Sequence, residues 1–323
     1  MGPYTELTMT KLVALIVEDE PVFALPAWDR TIALLERSGL LVTHVAVIPP
    51  RASQYEGLLR SLWCVGVFGL RNALRGRMFA ALESIRRKAE PRTWEEMAHV
   101  HGLVVKRFDD PNGQDAQTFL RSSNCDVLHA LAKDALNPAI LRIPRAGVIA
   151  HHASLGPSRG VFPFFWARFH GEAIGQSLRQ VTAGNTFAGP LLAQREAPPR
   201  ATNSMLAFQV WATQCYPELA LDATQRLLTR RSLPDPAGVE TSNRGVPTRR
   251  DRLEFEKRGG RISKWDDLRL TVSRINRLAA RPETPAPARQ APCQFPDVLP
   301  FLVSDSSKRG KVIPMRPRRQ VQL

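Results

Sequence analysis

The sequence predicts an α/β fold, in which a mostly parallel, twisted sheet is flanked by helices and followed by a helical extension and a disordered basic C-terminal tail. Three observations predict this organisation. Short apolar runs recur through the first 200 residues, and the segments between them carry apolar residues at helical spacing, as in parallel sheets with crossover helices. The chain has 323 residues and is 43% hydrophobic, enough to bury a large core. After Pro234 the alternating pattern ends, because proline, arginine and glycine dominate.

The first elements form a β-α-β unit. The apolar run Lys11–Val17 predicts a buried strand, and Ala27–Ser38 has apolar residues at helical spacing. Gly39 closes that helix, and Leu41–Ile48 predicts the next strand. Such a unit implies a parallel, Rossmann-like sheet with a right-handed crossover. The apolar, arginine-rich segment Leu58–Lys88 predicts one or two amphipathic helices before the sheet resumes.

The rest of the chain continues this alternation and then loses it. The predicted strands are Val104–Phe108, Asp126–Leu131, Gly147–His152, Gln176–Thr182 and Pro190–Ala197. The predicted helices are Asp115–Ser122, Asn137–Ile143, Phe162–Gly171, Asn203–Arg231, Arg249–Arg258 and Trp265–Leu278. Three regions follow: an α/β domain at residues 1–200, a helical extension at 201–280, and a Pro/Arg-rich tail at 281–323 that is expected to be disordered.

Composition and charge narrow the function classes. The four cysteines lie far apart and form no C-x-x-C pair or Cys/His cluster, so we expect free thiols in a reducing, cytoplasmic compartment and no metal site. The first apolar run is too short for a signal peptide or a membrane span. The net charge of +15 leaves nucleic-acid binding through the basic run Lys308–Arg319 as a less favoured alternative, because the arginines are spread along the whole chain.

The stretch Gly147–Ala167, GVIAHHASLGPSRGVFPFFWA, is the most informative part of the chain. It opens with a short apolar run that ends in two histidines. A turn rich in Ser, Gly and Pro follows, and then an aromatic helix, most simply a packing face. The strand therefore delivers polar side chains to a loop at its carboxyl end, which is where open α/β sheets bind ligands.

This stretch resembles the signature of folate-dependent formyltransferases, such as those acting on methionyl-tRNA, glycinamide ribonucleotide and sugar amines. In that signature a strand ends Asn-x-His-x-Ser-Leu-Leu-Pro and continues to Arg-Gly-x-x-Pro. The matching positions are His152, Ser154, Leu155, Pro157, Arg159, Gly160, Pro163 and Ala167. Phe165–Glu172, Ala188–Glu196 and Val246–Arg261 resemble further elements of the family, so the resemblance covers roughly residues 11–261.

The resemblance implies a reaction, a cofactor and a catalytic pair. Family members transfer a formyl group from 10-formyltetrahydrofolate to an amine, and here the implied acceptor is a small-molecule amine. Negative charge develops on the formyl oxygen, and the family stabilises it with an Asn amide and a His imidazole two residues apart. That spacing puts both side chains on the same face of a strand. A carboxylate on a later loop orients the imidazole and manages the released proton.

In this chain the resemblance implies that His152 is the catalytic imidazole and that its partners are lost. Ala150 stands at the Asn position and cannot donate a hydrogen bond from its side chain. Phe187 stands at the position of the carboxylate and can neither accept a proton nor orient an imidazole. We therefore expect impaired transfer. His151 points to the opposite face and is expected to be structural.

The resemblance also implies binding residues. Ser154, Arg159 and Gly160 are expected to shape the loop and the acceptor side, with a purely structural role as the alternative. The backbone after the fourth strand is expected to hold the pterin of the cofactor, at Leu128, Ala130, Leu131, Ala132 and Lys133. We expect His152 to open on a cleft lined by residues 128–133 and by Ala183–Gly189.

Three functions remain open at this point. The first is formyl transfer at a reduced rate. The second is a catalytically inactive protein that uses the same cleft to bind a folate or another ligand. The third, less favoured, is an RNA-associated protein that acts through its basic tail.

Overall fold

A computed structural model describes residues 10–50, 64–87, 90–131, 135–155, 158–160, 162–182, 189–234 and 242–269. The strands are β1 (Lys11–Glu18), β2 (Leu40–Ile48), β3 (Val104–Arg107), β4 (Val127–Leu131), β5 (Gly147–His152), β6 (Ser158–Gly160), β7 (Gly175–Gln180), β8 (Leu191–Glu196) and β9 (Ser242–Arg244). The helices are α1 (Ala24–Arg37), α2 (Leu70–Arg86), α3 (Trp94–His101), α4 (Gln114–Ser122), α5 (Pro138–Leu141), α6 (Pro163–His170), α7 (Met205–Leu228) and α8 (Arg249–Lys257).

Within the described residues, seven strands form one sheet in the order β3-β2-β1-β4-β5-β7-β8. The first five of that order are parallel, whereas β7 runs antiparallel to both β5 and β8. The chain moves outward from β1 through β2 to β3 and then returns to place β4 on the other side of β1. Open α/β sheets bind ligands at the carboxyl ends of strands where the order reverses in this way. The mostly parallel sheet with flanking helices confirms the predicted fold class.

Helices cover the sheet on both faces. On one face α1 and α7 pack on the strands, and the ring of Trp28 meets that of Tyr216 with centroids 5.2 Å apart. On the other face α4 and α5 contribute Leu120 and Ile140 to a second apolar cluster. Both faces of the central strands are therefore buried. This explains why the sequence of β1 is continuously apolar and does not alternate between apolar and polar residues.

The helix α7 belongs to the core of the sheet. Its residues Leu219, Ala220, Ala223 and Leu227 are buried in the cluster that also contains residues of β1, β2 and β4. All described residues fall in one compact unit, 1–280. The predicted boundary between residues 200 and 201 thus lies next to a helix that shares the core of the preceding domain.

Most predicted elements are present to within a few residues at each end. The helix α3 is present in the structure but was not predicted from the sequence. This helix has eight residues, too few for an apolar period to stand out. Its ends carry ordinary signals, since the side chain of Thr93 accepts from the Glu96 N–H and Gly102 has a left-handed φ of 69°. The pairing of β6 with β9 in a small parallel sheet was also not predicted.

Several predictions fall outside the described residues. They concern the start of the segment 58–88, the end of the helix 265–278 and the whole of the tail 281–323. Among the helices that the structure describes, none is both long enough and apolar enough to cross a bilayer.

Candidate active site

The candidate site lies at the carboxyl edge of the sheet, where β1, β4 and β5 end at neighbouring positions. These strands end at Glu18, Leu131 and His152, respectively. The strand order reverses between β1 and β4, one strand away from β5, and open α/β sheets bind ligands at such a reversal. The side chain of His152 is buried, with 4% of its surface exposed.

Strand register decides which side chains share the face of His152. Ala150 lies level with Ala130 of β4 and directly opposite Arg179 of β7, and His152 lies opposite Ser177. Residues directly opposite in a ladder point to the same face. The face that carries His152 therefore also carries Ala150, Ala130, Ser177 and Arg179, and it is the face covered by α4 and α5.

The adjacent histidine points to the other face and is structural, as predicted. His151 Nε2 lies 3.0 Å from Gln176 Oε1. Gln176 uses its amide nitrogen to donate to Ala212 O at 3.2 Å, so its oxygen accepts and His151 donates from Nε2. Burial lowers the pKa of His151 to about 4, which keeps this imidazole neutral at pH 7.

A second neutral histidine lies on that same face. His129 Nε2 is 2.8 Å from Thr224 Oγ1, and that hydroxyl donates to Ala220 O at 2.7 Å. The hydroxyl has one hydrogen, so His129 must donate to it from Nε2. Burial lowers the pKa of His129 to about 3. Both histidines thus stabilise the layer between the sheet and the helices α1 and α7.

The loop after β5 is held against the start of β7. Ser177 Oγ donates to Ser154 O at 3.2 Å, and Ser154 is fully buried. Gly175 allows this approach, because a Cβ there would clash with Arg195 O and lie 2.8 Å from Leu155 Cδ1. The tight packing fixes the backbone that leaves the sheet immediately after His152.

The predicted acceptor residues Arg159 and Gly160 lie in β6. Their backbones pair with Asn243 and Arg244 of β9. This parallel pairing ties the signature loop to a segment more than 80 residues later in the chain. The region that the resemblance assigns to the acceptor side therefore includes backbone from the C-terminal part of the compact unit.

The predicted pterin-binding residues are distributed between the sheet interior and its edge. Leu128 and Ala130 are buried and paired on both sides, with β1 and with β5, so they lie inside the sheet. Leu131 ends β4 and packs against the cluster on the α1 and α7 face. Ala132 and Lys133 lie outside the described residues. Leu131 is thus the member of this set that the structure describes at the edge.

The loop expected to complete the site leaves the sheet far from His152. Phe187 and most of residues 183–189 lie outside the described residues. Because β7 runs antiparallel to β5, its end approaches the start of β5, and Val181 N donates to Val148 O at 2.8 Å. Val148 precedes His152 by four residues, or roughly 13 Å along a strand. The predicted cleft is therefore described only on its β4 side.

Arg179 is a residue of this face that sequence reasoning missed. It is 8% exposed, and its Nη1 donates to Gly189 O at 3.2 Å, the first described residue after that loop. The sequence signal is its place inside the predicted strand Gln176–Thr182, because arginine is seldom buried. Its position opposite Ala150 depends on the register between strands, which the sequence did not predict.

The same edge of the sheet bears a cleft of about 760 Å³ between the ends of β2 and β3 and the start of α4. Its lining mixes acidic and basic side chains, among them Asp19, Lys106, Asp110 and Asp115. Within the part of the chain that the structure describes, no three His, Cys, Asp or Glu side chains are grouped so as to hold a metal ion.

Comparisons with known proteins agree with the resemblance in the sequence. The methionyl-tRNA formyltransferase of Chromohalobacter salexigens is 36% identical over 121 residues, which cover 36% of this chain and 37% of that enzyme. The methionyl-tRNA formyltransferase of Thermosynechococcus vestitus is 32% identical over 132 residues, covering 39% of each chain. The matches thus span about two fifths of the length of these curated relatives. No protein-family model matches the chain.

Solved structures of similar architecture carry related names. A glycinamide ribonucleotide transformylase from Geobacillus kaustophilus aligns with a TM-score of 0.46 and 15% identity, over 68% of this chain and 99% of that one. A sugar N-formyltransferase from Shewanella sp. aligns with a TM-score of 0.46 and 13% identity, over 76% and 87% of the two chains. The matches to curated enzymes, together with the mostly parallel seven-stranded sheet, support a formyltransferase-family fold.

Proposed function

We propose that the chain binds 10-formyltetrahydrofolate at the carboxyl edge of its sheet and transfers the formyl group to an amine at a reduced rate. The observation that carries this proposal is the position of His152. It is the buried last residue of β5, at the carboxyl edge of the sheet and one strand from the reversal of strand order, and it shares a face with Ala150 two residues earlier. The matches to curated formyltransferases supply the reaction class.

The residues at this edge fit a folate in two respects. The ends of β1 and β4 flank the point where the strand order reverses, and Leu131 leads into the segment whose backbone would hold the pterin. The imidazole of His152 is a hydrogen-bond donor suited to the oxygen of a formyl group. When bound, the folate supplies that formyl group to the reaction.

The role of His152 is to donate a hydrogen bond to the carbonyl oxygen as negative charge develops there. The clamped loop at Ser154 fixes the backbone from which this imidazole projects, so little reorganisation is needed. Ala150 offers no side-chain donor, and loss of one such donor typically lowers the rate by ~10²–10³. The reduced rate in our proposal comes from this substitution and from Phe187 at the carboxylate position.

For the acceptor we propose the amine of a small molecule. Formyltransferases of this kind act on nucleotides, sugars, amino acids and tRNA, so the panel of candidate acceptors is defined by the family. The cleft of mixed charge beside the ends of β2 and β3 lies at the same edge and offers carboxylates to a cationic amine. An acceptor that enters there would have to reach across the ends of β1 and β4 toward His152.

A second candidate is binding of a folate without transfer, and the observation that favours it is Ala150. A site that has lost a donor can still hold a ligand, because binding and transition-state stabilisation depend on different contacts. The third alternative, association with RNA, depends on the tail at residues 281–323 and not on this site.

Calorimetric titration with a hydrolysis-resistant 10-formyl folate analogue, followed by transfer assays on a panel of amines, tests the proposal. We expect binding, slow transfer to at least one amine, and loss of that transfer in His152→Ala. The matched control is His99→Ala, which changes an exposed histidine on α3. Binding without transfer to any amine would favour the second candidate, and absence of folate binding by the folded protein would refute both.

A double substitution separates impaired catalysis from a misassigned site. Ala150→Asn restores a donor on the face of His152, and Phe187→Asp restores a carboxylate in the loop. We expect the double variant to transfer faster than the native chain, and each single variant to gain less, because both groups act on one developing charge. Transfer that survives His152→Ala would contradict the assignment of the imidazole.

A further inference from the structure

The helix α2 carries an apolar stripe on its solvent side. Four large apolar side chains of this helix are 46–60% exposed: Leu70, Leu74, Met78 and Ile85. At about 100° per residue these positions fall within about 80° of one another, and the exposed Ala81 lies among them. The stripe therefore runs along almost the whole helix, roughly 22 Å. A contiguous exposed apolar patch marks an interaction surface, whereas scattered single residues do not.

Contacts on the opposite side of α2 keep this stripe outside. Phe79 is buried and stacks on Phe23, just before α1, with ring centroids 5.6 Å apart. Arg87, which follows the helix, is buried and donates to Pro21 O at 2.8 Å. Both contacts are made to the segment between β1 and α1. The helix therefore cannot turn its stripe inward without losing them.

The charged side chains that flank the stripe on α2 are arginines. Arg71 and Arg77 are exposed, and the helical period places one on each side of the stripe. The acidic residue of α2, Glu83, is buried and accepts from Arg86 Nε at 2.7 Å. The exposed side of this helix therefore presents apolar and positive groups and no carboxylate.

An exposed tryptophan lies close to the arginine side of the stripe. Trp265 is 55% exposed, and the guanidinium of Arg75 lies 4.9 Å from its ring centroid. The segment before it is tied to α2, because Arg75 donates to Ser263 O at 3.1 Å and Ser263 Oγ donates to Asn72 Oδ1 at 2.8 Å. Tryptophan is enriched where membranes meet water, because its ring is apolar and its N–H is polar.

Charge and shape favour an anionic lipid surface over a second copy of the chain. In a symmetric pair the arginines beside one stripe would face those beside the other, with no exposed carboxylate on α2 to offset them. A single convex helix offers no groove to a protein, whereas a bilayer closes around an apolar ridge and places phosphates beside basic side chains. We propose that α2 docks the protein on an anionic lipid bilayer, with the stripe at the acyl boundary and Arg71, Arg77 and Trp265 at the headgroups. This inference does not depend on the proposed function.

Flotation of the full chain with lipid vesicles tests the proposal. The vesicles contain phosphatidylcholine alone or phosphatidylcholine with phosphatidylglycerol. We expect the native chain to bind the anionic vesicles about tenfold more tightly, and to lose that binding as the salt concentration rises. Leu74→Ser combined with Met78→Ser should weaken the binding about tenfold and leave the urea midpoint unchanged, because both side chains are exposed. The matched control is Leu253→Ser, at a leucine of α8 that is 44% exposed.

Further outcomes separate this surface from other sources of attraction. Arg71→Gln should weaken binding to anionic vesicles about fivefold and leave binding to neutral vesicles unchanged. Full binding by the double serine variant would overturn the proposal and assign the attraction to another basic segment, such as Lys308–Arg319. A native dimer that dissociates in the double variant, without vesicle binding, would overturn it in favour of a second copy. Absence of vesicle binding by the folded native chain would overturn it as well.

Discussion

Acidification is expected to destabilise this protein through two buried histidines. Burial lowers the pKa of His129 from 6.5 to about 3 and that of His151 from 6.5 to about 4. In the unfolded chain both groups regain the ordinary value, so below pH 6.5 the unfolded state binds more protons than the folded state. Above pH 6.5 both histidines are neutral in either state and do not lower the free energy of unfolding. As the pH decreases from 6.5 toward 4 and 3, the free energy of unfolding falls.

The size of the effect follows from the two pKa differences. At pH 5 an unfolded histidine is almost fully protonated and the folded one almost fully neutral, which lowers the free energy of unfolding by about 2 kcal/mol for His129. His151 keeps part of its surface exposed, so its contribution is smaller. Together the pair removes about 3 kcal/mol, a large share of the ~5–15 kcal/mol that stabilises a typical domain.

Urea denaturation at pH 7.5 and at pH 5.0 measures this difference. The native chain should lose about 3 kcal/mol between the two conditions, beyond the change seen for its exposed groups. His129→Gln keeps an N–H donor for Thr224 but cannot titrate, so it should be less stable at pH 7.5 and lose about 2 kcal/mol less on acidification. The control is His99→Gln, at an exposed position of α3. An unchanged pH dependence in folded His129→Gln would refute the reasoning.

Three further outcomes are expected from the structure. Gly175→Ala should destabilise the fold by ~1–3 kcal/mol, because its Cβ would clash with the neighbouring strand. Gly76→Ala, in a helix where a Cβ would meet nothing within 4 Å, should stabilise the fold by ~0.5–1 kcal/mol. Equal denaturation midpoints for the two variants would contradict this. The hydrogen bond that His101 donates to Asp29 raises the pKa of His101, so this pair should stabilise the fold below pH 6.5 and lose its effect as the pH rises through the raised pKa. Asp29→Asn should lower the melting temperature at pH 6 but not at pH 9. Deleting residues 281–323, rich in proline and arginine, should leave the melting temperature unchanged and weaken retention on a polyanion column, and a drop of several degrees would show that the segment packs on the fold.

The strands and long helices could be predicted because their signals are local. The apolar run at β1 and the helical spacing in α1 depend on nearest neighbours in the chain, and Gly39, with a φ of 78°, terminates α1 through its own backbone freedom. The helix α3 was missed because eight residues hold about two turns, too few for a period.

The candidate site was predictable only along the strand that bears it. The alternation of a strand sets Ala150 and His152 on one face and His151 on the other, and the structure has this arrangement. Arg179 could not be assigned to that face from sequence. Its partner across the ladder depends on a register between β5 and β7, and a slip of one residue would turn Arg179 to the opposite layer.

The packing of α1 against α7 delays completion of the core during synthesis. Trp28 contacts Tyr216 across the core, and roughly 190 residues separate them, a delay of roughly 10–40 s at ~5–20 residues per second. Throughout that interval the side of α1 that meets α7 has no partner. Such long-range closure slows folding, because the entropy of the intervening chain is lost before the contact forms. We therefore expect the nascent chain to be most prone to aggregation before α7 has left the ribosome.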